Sequence, residues 1–99
     1  MAEGKPVKVG NREYVVPEAT LGVAEELLTR LETLGEGGAR LTIRAISEII
    51  HKALSENYPD LTVDQVARGI KLKEAGETMK RVLAAAGLEQ SSAGEAQSP

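Results

Sequence analysis

Between Thr20 and Leu34 the residues Leu21, Ala24, Leu27, Leu28, Leu31 and Leu34 return every three or four positions, which predicts one apolar face of a helix. Glu25, Thr29, Glu32 and Thr33 fall away from the centre of that face, and Gly35-Glu36-Gly37-Gly38 ends the helix in a flexible loop. A second stripe, Ile43, Ile46, Ile49, Ile50, Ala53 and Leu54, is about 140° wide at about 100° per residue. Thr42 is placed to cap this helix, with Leu41 and Ile46 at the staple positions, and Arg44, Glu48, His51, Lys52 and Ser55 on the other side.

Pro59 stops that helix, because proline has no backbone N–H and pushes Tyr58 toward extended dihedrals. Thr62 and Gln65 then have the spacing of a capping box, and Leu61 and Val66 that of a hydrophobic staple. The third helix is predicted to be short, Val63 to Arg68, with Gly69 as its stop. Ile70-Lys71-Leu72 crosses to a last helix from about Glu74 to Ala86, where Ala75, Met79, Val82, Leu83 and Ala86 share a face. Gly87 suits a left-handed cap that folds Leu88 back on Leu83.

Ahead of the helices, Val7-Lys8-Val9 and Tyr14-Val15-Val16 flank Gly10-Asn11, a dipeptide suited to the positive φ angles of a tight hairpin turn. Pro17 closes the second strand. A lone hairpin is marginal in water, so it must pack on the helices or pair with another chain. The predicted class is therefore mainly α: a small helical bundle of three main helices and one short one, with a short N-terminal β-hairpin. Residues 1–6 are expected to be a flexible N-terminus, 7–88 a single α-rich domain, and 89–99 a disordered tail without a large apolar residue.

Composition narrows the chemistry. The chain has 99 residues, no Phe, Trp or Cys, and only Tyr14 and Tyr58 as aromatics, so aliphatic side chains carry the core. The lack of Cys excludes a disulfide framework and a thiolate zinc site, and suits a reducing cytoplasm. No apolar run reaches the ~20 residues of a membrane span, and the first residues lack the apolar core of a signal peptide. The net charge of −3 argues against nucleic acid as the partner.

His51 is the only histidine, and its place among Arg44, Glu48 and Ser55 reads as a solvated side chain. Without a second His or a Cys, neither a metal site nor an acid–base relay is expected, so the chain reads as no enzyme and as needing no cofactor. The Gly35–Gly38 loop follows a helix and lacks the Gly-Lys-Ser/Thr of a phosphate cradle. The segment around Gly69 lacks both the spacing and the basic face of a helix-turn-helix, and the balance of charge disfavours a ribbon-helix-helix dimer. Four short helices and a hairpin leave apolar residues to spare. Tyr58, Leu61, Ile70 and Leu72, in the irregular region around the third helix, are the candidate partner-binding residues.

The strand pair ending in Val16-Pro17, the leucine-striped helix, the isoleucine-rich helix, the segment Asn57-Tyr58-Pro59-Asp60-Leu61-Thr62 and the final Ala/Leu helix together resemble the tail assembly chaperones of long-tailed bacteriophages and prophages. The likeness runs from about Val7 to Leu88, with Tyr58-Pro59-Asp60-Leu61-Thr62 its most distinctive part. It implies a small helical protein that binds the phage tape measure protein in the bacterial host cytoplasm. There it keeps that protein soluble while the tail tube forms around it, and it is absent from the finished virion. Self-association is common in that family, so a homo-oligomer is a further expectation. The family offers no catalytic residues and no residue-level binding motif to carry over. The alternative from another class is a small DNA-binding transcriptional regulator.

Overall fold

A computed structural model describes residues 3–88. Two strands, β1 (Lys5–Val9) and β2 (Arg12–Val16), lead into helices α1 (Leu21–Glu32), α2 (Ala39–Leu54), α3 (Val63–Gly69) and α4 (Ala75–Ala86), the last preceded by a 3-10 turn at Leu72–Glu74. The structure is thus mainly helical with one two-stranded antiparallel hairpin, as the patterning predicts. The segment 89–99, expected to be disordered, lies outside the described residues. Of the N-terminal segment expected to be flexible, Lys5 and Pro6 belong to β1, where they pair with Val16 and Val15.

Val7 pairs with Tyr14 and Val9 with Arg12, so period-2 alternation puts Val7, Val9, Tyr14 and Val16 on one face of the hairpin. That face is turned inward: Val7, Val9 and Val16 are buried and Tyr14 half-buried. Gly10 has φ +66° while Asn11 does not have a positive φ, the pattern of a type II′ turn and not of the doubly positive type I′. Only glycine fits this site for a second reason. A Cβ on Gly10 would collide with the carbonyl oxygen of Gly69 at the end of α3.

One hydrophobic cluster joins the hairpin to all four helices. Its fully buried members include Leu27 of α1, Ile49, Ile50 and Leu54 of α2 and Val82 of α4, with Val66 of α3 at its edge. Burial of this kind is worth roughly 1.5–3 kcal/mol per large aliphatic side chain, and it replaces the aromatic mass the sequence lacks.

The capping signals behave unequally. Thr62 and Gln65 form the full capping box: the Thr62 hydroxyl accepts from the Gln65 N–H at 3.1 Å, and the Gln65 side chain accepts from the Thr62 N–H at 2.9 Å. At the end of α4, Gly87 adopts the left-handed conformation. The N–H groups of Leu88 and Gly87 donate to the carbonyls of Leu83 and Ala84 at 2.7 and 3.0 Å, a complete Schellman closure. Thr42, by contrast, does not cap α2. The helix starts at Ala39, because Gly38 at φ +96° turns the chain into it and offers the first carbonyl acceptor. Thr42 sits inside the first turn and donates both its N–H and its hydroxyl to that carbonyl, each at 3.0 Å. Leu41 is accordingly no staple; it lies over Gly37 instead.

Candidate functional site

The residues that the sequence singles out for partner binding go to different duties. The Tyr58 ring packs edge-on against Tyr14, with centroids 5.0 Å apart and planes at 87°, and its hydroxyl accepts a hydrogen bond from the Val15 N–H at 2.8 Å. Leu61 is half-buried against the core, and its carbonyl accepts from His51 Nε2 at 2.7 Å. A carbonyl has no proton to give, so His51 carries its proton on Nε2. His51 is therefore not the free solvated side chain its position suggests; it ties α2 to the segment that enters α3. Ile70 is half-buried beside the core, in extended backbone after α3. Leu72 alone is open, 73% exposed on the 3-10 turn.

Tyr58, Leu61 and Ile70 do share one feature, a broad groove of about 1430 Å³ between the hairpin and the α3–α4 turn; Leu72 does not line it. Its lining carries both signs of charge. Lys8, Arg12, Arg68, Lys71, Lys73 and Arg81 stand among Glu13, Asp60, Glu74 and Glu77. Arg68 is bound to Asp64 at 2.7 Å, and Arg12 lies 5.9 Å from the centre of the Tyr14 ring.

The larger apolar surplus lies elsewhere, on the α1–α2 hairpin. Leu21 is 90% exposed, Leu41 55%, Ile43 45% and Leu28 38%. Periodicity places Ile43 on the same stripe as Ile46 and Ile50, yet only the C-terminal half of α2 is covered: its buried residues are Ser47, Ile49, Ile50, Ala53 and Leu54. Leu31, Leu34 and Ile46 are half-buried on the same hairpin. The sequence showed these stripes but not their covering, since periodicity fixes the direction of a side chain and not what stands opposite it.

Ion pairs clamp this hairpin on its outer side. Glu48 of α2 takes Arg30 of α1 at 2.8 Å and Arg44 at 3.4 Å, and Lys52 takes Glu26 at 2.8 Å. The hydrogen bond from Lys52 and then its charge hold the Glu26 carboxyl below its ordinary 4.5. Among the described residues no group of three His, Cys, Asp or Glu side chains stands close enough to hold a metal ion. Among them, too, no helix is long and apolar enough to cross a membrane.

No protein-family model, curated protein or solved structure matches this chain.

Proposed function

We propose that this chain is a binding protein, not an enzyme, that shields an apolar stretch of a partner protein. On the sequence resemblance, that partner is the tape measure protein of a long-tailed phage, held soluble in the host cytoplasm during tail assembly. The observation that carries the reading is the set of exposed aliphatic residues on one helical hairpin, Leu21, Leu28, Leu41 and Ile43, in a protein this small. Apolar groups left open at a loss of solubility are what a holder of aggregation-prone helices needs, with charge on its remaining surface.

The test is co-expression with the tape measure protein encoded beside this chain's gene. The expected result is a rise in the soluble yield of that protein, recovery of both chains in one pull-down, and loss of both effects with Leu28→Glu or Ile43→Glu. Those exposed changes are expected to leave the fold intact by circular dichroism. No gain in soluble yield, together with salt-sensitive binding of this chain to duplex DNA, would overturn the reading in favour of a DNA-binding regulator.

A further inference from the structure

We infer that the outward side of α1 is a docking strip for an amphipathic helix whose apolar stripe is rimmed by lysine or arginine. The inference rests on the binding role proposed above and adds the chemistry of the partner.

Leu21, Ala24, Leu28 and Leu31 follow one another at spacings of three, four and three, the rhythm of the a and d positions in a helix–helix seam. At about 100° per residue they fall within an arc of about 80°. Leu21 and Leu28 are exposed, Ala24 and Leu31 half-buried. This strip borders the seam that builds the core, where Leu27 is fully buried and Val23, Leu31 and Leu34 pack beside it. It differs from the side that meets α2, which Glu26 and Arg30 mark with their ion pairs. The helix therefore leaves two leucines exposed one heptad apart, Leu21 and Leu28, on a strip whose other edge, at Leu31, joins the core.

Charge along the seam selects the occupant. Glu25 and Glu32 each follow a d position, one heptad apart, and both are exposed. Among the described residues neither carboxylate has a salt-bridge partner, whereas Glu26 on the next position is engaged by Lys52. The opposite rim is Leu27, which turns into the core. A docking helix thus meets a single rim, and that rim is acidic. A second copy laid antiparallel on this seam would bring Glu25 and Glu32 against their own counterparts, and like charges there count against it. A helix with Lys or Arg beside its apolar stripe gains at the same positions. The strip is only 12 residues long, so binding through it is weak and reversible, which suits a holder that must let go.

The experiment uses two synthetic helical peptides of about four heptads with identical Leu/Ile stripes, one with Lys and one with Glu at the flanking positions. Binding to the full chain is measured by fluorescence anisotropy at low and high salt. The Lys-rimmed peptide is expected to bind about tenfold more tightly, with the margin shrinking at high salt. The Leu21→Glu/Leu28→Glu variant is expected to lose it, and Glu25→Lys/Glu32→Lys to reverse the preference. Equal binding of both peptides, or Lys-peptide binding that survives Leu21→Glu/Leu28→Glu, would overturn the inference. If that happens while the wild-type chain still solubilises the tape measure protein, the proposed function stands and works through another surface. If the peptide preference holds but no solubilisation occurs, the docking strip stands and the proposed partner falls.

Discussion

The hydroxyl of Tyr58 accepts the N–H of Val15, and the neighbouring Asn57 donates to the carbonyl of the same Val15 at 2.9 Å. Val15 lies opposite Pro6 in the hairpin. With a two-residue turn after the Val9–Arg12 pair, its backbone groups point away from β1. Two adjacent side chains from beyond α2 thus satisfy the outer edge of β2 at one residue. On the other strand Pro6 has no N–H to offer. Both edges of the smallest possible sheet are blunted against strand addition.

Tyr58→Phe removes the acceptor and strands the Val15 N–H while keeping the ring against Tyr14. The expected cost is about 1–3 kcal/mol, the range for a part-buried donor left unmade. Asn57→Ala removes the second contact, and because both bonds hold the two peptide units flanking Val15 the double variant is expected to fall short of the sum. Urea denaturation of the two single variants and the double variant measures this. A strictly additive pair would show that the bonds act independently.

Gly10→Ala sets a methyl group against the Gly69 carbonyl, at a residue whose φ of +66° suits glycine. Steric displacement and backbone strain together are expected to cost about 2–4 kcal/mol. Gly76→Ala, where a Cβ meets nothing within 4 Å, is the control and is expected to be neutral or stabilising. Thermal melts of the pair give the comparison.

Thr62→Ala loses the capping bond at the start of α3 and is expected to cost about 1 kcal/mol. His51→Ala leaves the Leu61 carbonyl without its donor and is expected to cost about 1–2 kcal/mol, despite a position that periodicity assigns to the polar side. An unchanged urea midpoint for His51→Ala would mean that water replaces the imidazole without loss.

Glu26 is held in its charged form by Lys52, so its folded-state pKa is depressed. Its contribution to stability is present above the unfolded value near 4.5 and is lost as pH falls through the lower folded value. Carboxyl chemical shifts followed through an acid titration are expected to show Glu26 titrating below 4.5, and Lys52→Met is expected to move it back up. A Glu26 midpoint unaffected by Lys52→Met would remove the pair as the cause.

The features legible in the sequence are those set within a few residues. The Thr62–Gln65 box and the Gly87–Leu88 closure satisfy helix ends with near neighbours, so spacing alone reveals them. Thr42 misled because Gly38, four residues earlier, solved the same end of α2 with its backbone. The roles of His51, Asn57 and Tyr58 depend on partners brought close only by the finished fold, Leu61 carbonyl included, and no local pattern announces them. The surroundings of the candidate partner residues were hidden for the same reason. Tyr58 and Leu61 looked surplus until the hairpin and α2 bound them, while Leu21 looked like core until nothing stood opposite it.

The distance in sequence between Val15 and Tyr58 also sets an order of events during synthesis. The hairpin leaves the ribosome before the residues that fasten it, and two strands alone hold poorly in water. The residues that fasten it follow much later: Tyr58 at the edge of β2, the Gly69 carbonyl under the turn, and α4, packed against β1. The hairpin, made ahead of the four helices, is therefore the last of these elements to settle. Until α4 is available, the growing chain carries Val7, Val9 and Val16 uncovered, and pulsed proteolysis of chains lacking that helix is expected to cut between Lys5 and Val16, where the full chain resists.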